Sequence, residues 1–159
     1  MEERNLSISN DSEKQALLIF TDGGARGNPG PAAIGFIIKD NYGEVLVELG
    51  KFIGRATNNV AEYQAVIEAL TWLKNNYQRK ELSNYQINFF LDSNLVVNQL
   101  NGRFKIKDAK LKNLIIKVRC LEKEINGKIF YHFIPRQKNH HADFLVNQTL
   151  DKQNLSRRH

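Results

Sequence analysis

The sequence predicts one α/β domain. Three observations carry that prediction: short apolar runs of strand length bounded by turn residues, longer segments whose apolar positions recur about every 3.6 residues, and an order in which three strands come first and later strands alternate with helices. At 159 residues the chain is long enough to bury a core of its own. Residues 1–14 are expected to be a polar, disordered tail, residues 15–151 the folded domain, and residues 152–159 a basic polar tail.

Gln15–Thr21 (QALLIFT) is an apolar run that suits a central strand, ended by the turn chemistry of Asp22-Gly23-Gly24. The stretch through Gly30-Pro31 is too rich in Gly and Pro for a helix. Ala33–Lys39 and Glu44–Phe52 read as two strands of a hairpin turning at Asp40-Asn41-Tyr42-Gly43. Asn58 or Asn59 opens a helix that aligns Tyr63, Val66, Ile67, Leu70 and Leu73 on one face. Gln86–Leu91 is a fourth strand, halted at Asp92-Ser93, where a short helix runs to Leu100 and stops at Asn101-Gly102. A second amphipathic helix carries Leu111, Leu114, Ile115, Val118, Leu121 and Ile125 on one stripe. Lys128–Ile134 is the fifth strand, ended by Pro135, and His140–Leu150 a closing helix with Asn139 as its candidate cap.

The composition is that of an ordinary soluble protein, 42% hydrophobic and 25% charged, with no apolar run of the roughly 18 residues a membrane span needs. The N-terminus lacks an apolar signal region, so the cytoplasm is the expected compartment and no membrane is expected as a partner. A single cysteine, Cys120, excludes an internal disulfide and a Cys-based zinc cluster; near the apolar stripe of its helix, it is expected to be a packed thiol. Trp72 is likewise expected to be a packing residue. The net charge of +6 is concentrated: Arg103, Lys105, Lys107, Lys110, Lys112, Lys117 and Arg119 stand against Asp108 alone, and the rest of the chain is neutral. A neutral protein with one basic segment suits a polyanion partner, although a Lys-rich solvated helix face has the same composition.

Four acids fall at element boundaries: Asp22 and Asp92 at strand ends, Glu62 and Asp143 in the first turns of helices. Each has a bland explanation. Asp22 suits a turn, Asn59-x-x-Glu62 a capping box, Asp92 a helix cap, and Asp143 the helix dipole. Together they suggest more, because α/β sheets collect their chemistry at the carboxyl ends of strands and the neighbouring helix N-termini. Four carboxylates gathered there would not all stay ionised without a cation. Hard divalent ions with oxygen ligands resolve that conflict, and two of them about 3.5–4 Å apart form the clamp that acts on a phosphodiester. Lys and Arg would then hold the backbone that the metals cut.

The strings TDGGARGNPGPAAIGF, TNNVAEYQAVIEAL, LDSNLVVNQLNG and IPRQKNHHADFLVNQTL, with the acids spaced by 40, 30 and 51 residues, resemble the type-1 ribonuclease H family from about Ala16 to Leu150. The resemblance implies a five-stranded mixed sheet of order 3-2-1-4-5 with helices on both faces. It implies Mg²⁺-dependent endonucleolytic hydrolysis of the RNA strand of an RNA/DNA hybrid, by two ions, leaving 5′-phosphate and 3′-OH ends. Mn²⁺ is the other candidate ion, and double-stranded RNA a further candidate substrate. Asp22, Glu62, Asp92 and Asp143 match the metal-binding acids, with Asp22 and Asp92 central, Glu62 also touching a ribose 2′-OH, and Asp143 the more mobile fourth. Recognition through the 2′-OH is chemically apt, since that group distinguishes RNA from DNA. Gly23 would allow close backbone approach to substrate. Asn28 matches a minor-groove contact, and Arg55, Thr57 and Asn58, with Asn59 beside them, a pocket for a phosphate of the DNA strand.

Two departures from the family pattern stand out. The segment from Ile134 to Asp143 is too short for the His-bearing loop of many bacterial members, which leaves Arg136 as the nearest substitute and His140 and His141 as closer but differently placed alternatives. The basic protrusion of some members is also missing, so backbone grip falls to Arg103, Lys105 and Lys107, with Lys110 beside them. Residues 1–14 are too short and polar for a hybrid-binding domain, and no obligate protein partner is evident. A P-loop is excluded because no Gly-Lys-Ser/Thr follows the glycines. The competing readings are a non-catalytic nucleic-acid binding module, another metal-dependent nuclease sharing the fold, and acids with a purely structural role.

Overall fold

In the computed structural model, which describes residues 15–158, the chain runs β1 (Ala16–Ala25), β2 (Gly30–Asp40), β3 (Val45–Ala56), α1 (Asn58–Asn76), α2 (Arg79–Leu82), β4 (Gln86–Leu91), α3 (Asn94–Leu100), α4 (Ala109–Ile125), β5 (Lys128–Phe133), a 3₁₀ turn (Arg136–Lys138) and α5 (His140–Arg158). The expected tail at residues 1–14 lies outside the described residues. The five strands form one sheet in the order β3-β2-β1-β4-β5, as expected. β1, β2 and β3 meander antiparallel, while β4 lies parallel to β1 and β5 parallel to β4. Parallel neighbours need long crossovers; α1 and α2 supply one, α3 and α4 the other. The β2–β3 turn closes through Asp40 Oδ1, which accepts from the N–H groups of Tyr42 and Glu44 at 2.9 Å each, with Gly43 at φ 84°.

Alternation along the strands divides the apolar residues between two faces. Leu17, Ile19, Ile34, Phe36, Ile38, Ile87 and Phe89 are buried in the main core under α1, whose Tyr63, Val66, Ile67, Leu70 and Leu73 are all buried as the 3.6-residue spacing requires. α4 packs on α1 through Leu111, Val118, Leu121 and Ile125. Trp72 is half-buried against the core and meets Tyr77 edge to face. On the other face α5 covers β1, β2 and β3, with Ala142, Leu145, Val146 and Leu150 against Ala33 and Ile37. Beyond its edge, the in-register row Phe20, Phe90 and His132 stacks across β1, β4 and β5 at 5.0 and 5.2 Å between ring centroids.

Several local expectations are corrected. β1 continues through Asp22-Gly23-Gly24 to Ala25, because β2 stays paired with it as far as Ala25↔Ala32. The closing helix does not stop at Leu150 but extends to Arg158, so most of the segment read as a tail is helical. Cys120 is exposed, not packed. It lies two residues beyond buried Val118, and at about 100° per residue that turns it to the far side of the stripe. Arg119, counted with the basic segment, is bound within the fold: its guanidinium donates to Glu122 at 3.1 Å and to Leu100 O at 2.5 Å.

Candidate active site

The parallel pairing of β1 with β4 ends at Phe20↔Phe90. Asp22 and Asp92 each follow two residues later and so project on the same face, at the mouth of the gap where the two strands part. Glu62 comes from the second turn of α1. It reaches Asp22 because Gly23 has no side chain: a Cβ there would overlap the backbone of Ala61 and crowd that of Glu62. The glycine thus has a packing role that the sequence had suggested for substrate approach. Carboxylate oxygens of Asp22, Glu62 and Asp92 all lie within 4.8 Å of one another, and Asp143, from the first turn of α5, lines the same cleft of about 520 Å³.

Three of the four bland explanations fail on geometry, while Asp143, in the first turn of α5, still suits the helix dipole. The N-cap of α1 is Thr57, whose Oγ1 accepts from Val60 N–H at 3.2 Å, so Asn59 and Glu62 form no capping box. Ser93, not Asp92, caps α3 by accepting from Val96 N–H at 3.3 Å. Asp22 is in a strand, not a turn. Asp22 and Glu62 are instead 7% exposed each, and Glu62 Oε2 is buried with no hydrogen-bond partner. Burial, helped by the nearby charges of Asp92 and Asp143, pushes the Asp22 carboxyl up to about 7. Burial and the charge of Asp22 push Glu62 well above the usual carboxylate range. An orphaned buried carboxylate oxygen inside a cluster of oxygen donors is a donor set for a hard divalent cation. These residues therefore fit such an ion, with Asp22, Glu62 and Asp92 as the close set and Asp143 at its border.

The other expected site residues fall into three places. Arg136, on the 3₁₀ turn, lines the acidic cleft, as do Gly23, Asn58 and Asn59. His140 and His141 line a separate cavity with Phe20, Lys39 and Lys138, and His141 Nε2 is 2.9 Å from Glu48 on β3. At the cleft's rim, Asn28 Oδ1 accepts from Asn58 N–H and Asn58 Oδ1 accepts from Ala25 N–H, both at 2.9 Å, while Arg55 donates to Pro29 O at 3.4 Å. Each asparagine spends its oxygen on the loop; among the described residues neither NH₂ group donates to another protein atom. Arg103, Lys105 and Lys107 are exposed in the segment joining α3 to α4 and do not line the cleft. They lie past α3, whose seven residues start beside the cleft at Ser93 and span about 10 Å.

Two residues of the cleft region escaped the sequence reading. Arg26 lines the cleft and is held by Asp151 at 2.6 Å and Asn147 O at 3.5 Å. Its partner is visible only once α5 is known to continue past Leu150. Asn139, expected to cap α5, turns its side chain inward: Nδ2 donates to Thr21 O at 2.8 Å and to Asp92 Oδ2 at 3.0 Å. An asparagine before a helix reads as a cap in sequence, and no sequence signal distinguishes the two uses.

A family model described as reverse transcriptase-like matches residues 20–149. A bifunctional protein of Mycobacterium tuberculosis is 38% identical over 136 residues, which cover 85% of this chain and 35% of that one. Ribonuclease HI of Halobacterium salinarum is 38% identical over 132 residues, 83% of this chain and 63% of that one. The chain thus spans between about a third and two thirds of those relatives. Ribonuclease H of Ruthia magnifica, 30% identical, is matched over 96% of its length and 86% of this chain. Among solved structures, LC11-RNase H1, isolated from compost by a metagenomic approach, superposes with a TM-score of 0.82 at 43% identity, covering 87% of this chain and 97% of that one. The same enzyme in complex with an RNA/DNA hybrid also gives 0.82, at 42% identity over 86% and 98%.

Proposed function

The chain belongs to the type-1 ribonuclease H family, and on that premise we propose that it is a metal-dependent endonuclease that hydrolyses the RNA strand of RNA/DNA hybrids, leaving 5′-phosphate and 3′-OH ends. The observation that carries this reading is the convergence of Asp22, Glu62 and Asp92 oxygens within 4.8 Å, in a cleft shared with Asp143 and Arg136. The solved complex of LC11-RNase H1 with a hybrid supports the choice of substrate.

Mg²⁺ is the proposed ion, in two copies held by Asp22, Glu62, Asp92 and Asp143, with Mn²⁺ as the alternative. When bound, the ions would supply Lewis acidity, activating the attacking water and stabilising the leaving oxygen. The protein's own groups do the rest. Burial raises the proton affinity of the clustered Asp22 and Glu62 carboxyls, so that binding a cation there would release protons. The unspent NH₂ groups of Asn28 and Asn58 and the guanidinium of Arg55 are donors for backbone phosphate and groove oxygens. Thr57 and Asn59 sit beside them at the start of α1. Arg136 places a cation where negative charge develops on the phosphate and leaving group. Arg103, Lys105 and Lys107 form a second, remote grip on the hybrid. The cytoplasm, where hybrids are encountered, is the proposed compartment; among the described residues no helix is long and apolar enough to cross a membrane.

The deciding experiment incubates labelled RNA/DNA hybrid, double-stranded RNA and duplex DNA with the protein and Mg²⁺, beside Asp92→Asn. Cleavage of the hybrid by the unaltered protein alone is expected. Binding without cleavage would point to a nucleic-acid binding module, and cleavage of duplex DNA to a different nuclease.

A further inference from the structure

We propose that Asn139 is a positioning residue that aims one oxygen of Asp92 into the cleft and locks together the elements that carry Asp22, Asp92 and Asp143; this rests on the metal-binding reading given above. The side chain is 1% exposed. Its amide has two N–H bonds, and both are spent on acceptors in the site: Thr21 O at 2.8 Å, next to Asp22 in β1, and Asp92 Oδ2 at 3.0 Å, at the end of β4. The backbone of the same residue accepts from Asp143 N–H at 3.2 Å in α5 and donates to Arg136 O at 2.9 Å in the 3₁₀ turn. One residue therefore touches the neighbour of the first acid, the third acid itself, the fourth acid and the arginine of the cleft.

The chemistry of the amide explains why this position suits asparagine. With both donors fixed by acceptors on different strands, the side chain has one orientation, and Asp92 has one oxygen committed to it. The other oxygen, Oδ1, is the one left for a ligand. An aspartate at 139 would set a carboxylate against Asp92, and a serine hydroxyl has one proton for two acceptors and is too short to span them. A donor to a ligating carboxylate holds it in the orientation the ion needs, and losing such a partner typically weakens metal affinity by about 10–100-fold.

Calorimetric titration of Mg²⁺ and Mn²⁺ into the substrate-free protein, its Asn139→Ala variant and its Asn139→Ser variant tests this directly. The expected result is a metal Kd at least about 10-fold weaker in both variants, with kcat reduced at limiting Mg²⁺ and KM for the hybrid within twofold. A helix-start role alone would lower the melting temperature in EDTA without moving the metal Kd of the folded protein. Variants that bind metal within twofold of the unaltered chain would overturn the inference while leaving the proposed function standing. So would unfolding of both variants in EDTA, which would show a structural role only. An unaltered chain that binds neither ion would overturn the proposed function and this inference with it.

Discussion

Replacing Asp22 with Asn should make the metal-free protein more stable near neutral pH, the reverse of what a structural acid would show. In the folded chain the Asp22 carboxyl is raised from 3.8 to about 7, chiefly by burial. The folded state therefore binds this proton more tightly than the unfolded state does. Its stability contribution is present in acid and is lost as pH rises from about 4 through about 7. Above that window the ionised group opposes folding by about 4 kcal/mol, at 1.36 kcal/mol per pH unit. Asn removes that penalty; its amide oxygen can still accept from Gly23 N–H, so the bond lost is the one with Glu62, about 1 kcal/mol, and the expected net gain is about 3 kcal/mol. For a chain of this length that corresponds to about 6–12 °C in Tm. The assay is thermal unfolding in EDTA near pH 8 and near pH 4, repeated with millimolar Mg²⁺. The variant should melt higher near pH 8, lose its advantage near pH 4, and gain less than the unaltered protein from Mg²⁺. An Asp22→Asn variant that is no more stable than the original near pH 8 in EDTA would refute the reasoning.

Gly23→Ala should cost about 1–3 kcal/mol or more in urea unfolding, because the new methyl meets the backbone of Ala61, which cannot rotate away as a side chain could; an unchanged midpoint would show that α1 can shift freely. Replacing Arg103, Lys105 and Lys107 together with Ala should weaken hybrid binding and flatten the slope of log affinity against log salt by about 2–3, one phosphate contact each. An unchanged slope would remove the remote grip from the proposed function. Cys120→Ser should leave stability within about 0.5 kcal/mol, and the native thiol should react with a colorimetric disulfide reagent without denaturant, since it is exposed. Protection of that thiol until unfolding would contradict its placement.

Element order was readable along the chain because the core faces of the strands and of α1 are written in plain periodicity: Gln86–Leu91 and the Tyr63-to-Leu73 stripe have the predicted extents and burial. Ends were harder to read. β1 runs past Asp22 because β2 pairs with it there, and α5 runs past Leu150 through residues whose composition is merely polar. Partners distant in sequence set both boundaries. Cys120 shows the related error of judging burial by proximity to a stripe when about 200° of helix rotation separates it from Val118.

The four acids and their order were available from residue types and spacing, since chemistry that handles a phosphodiester with metal needs carboxylates and few other side chains will serve. Which of them meet, and on what terms, belongs to the folded chain. The parting of β1 from β4 after Phe20↔Phe90, the bare backbone of Gly23 against Ala61, and the inward turn of Asn139 bring Asp22, Glu62 and Asp92 within 4.8 Å and leave Asp143 at the border. The physical reason is range. Helix and strand periodicities are local and show in any short window, whereas burial, proton affinity and the aim of a carboxylate oxygen depend on groups 30 to 50 residues or more apart that only packing can place side by side.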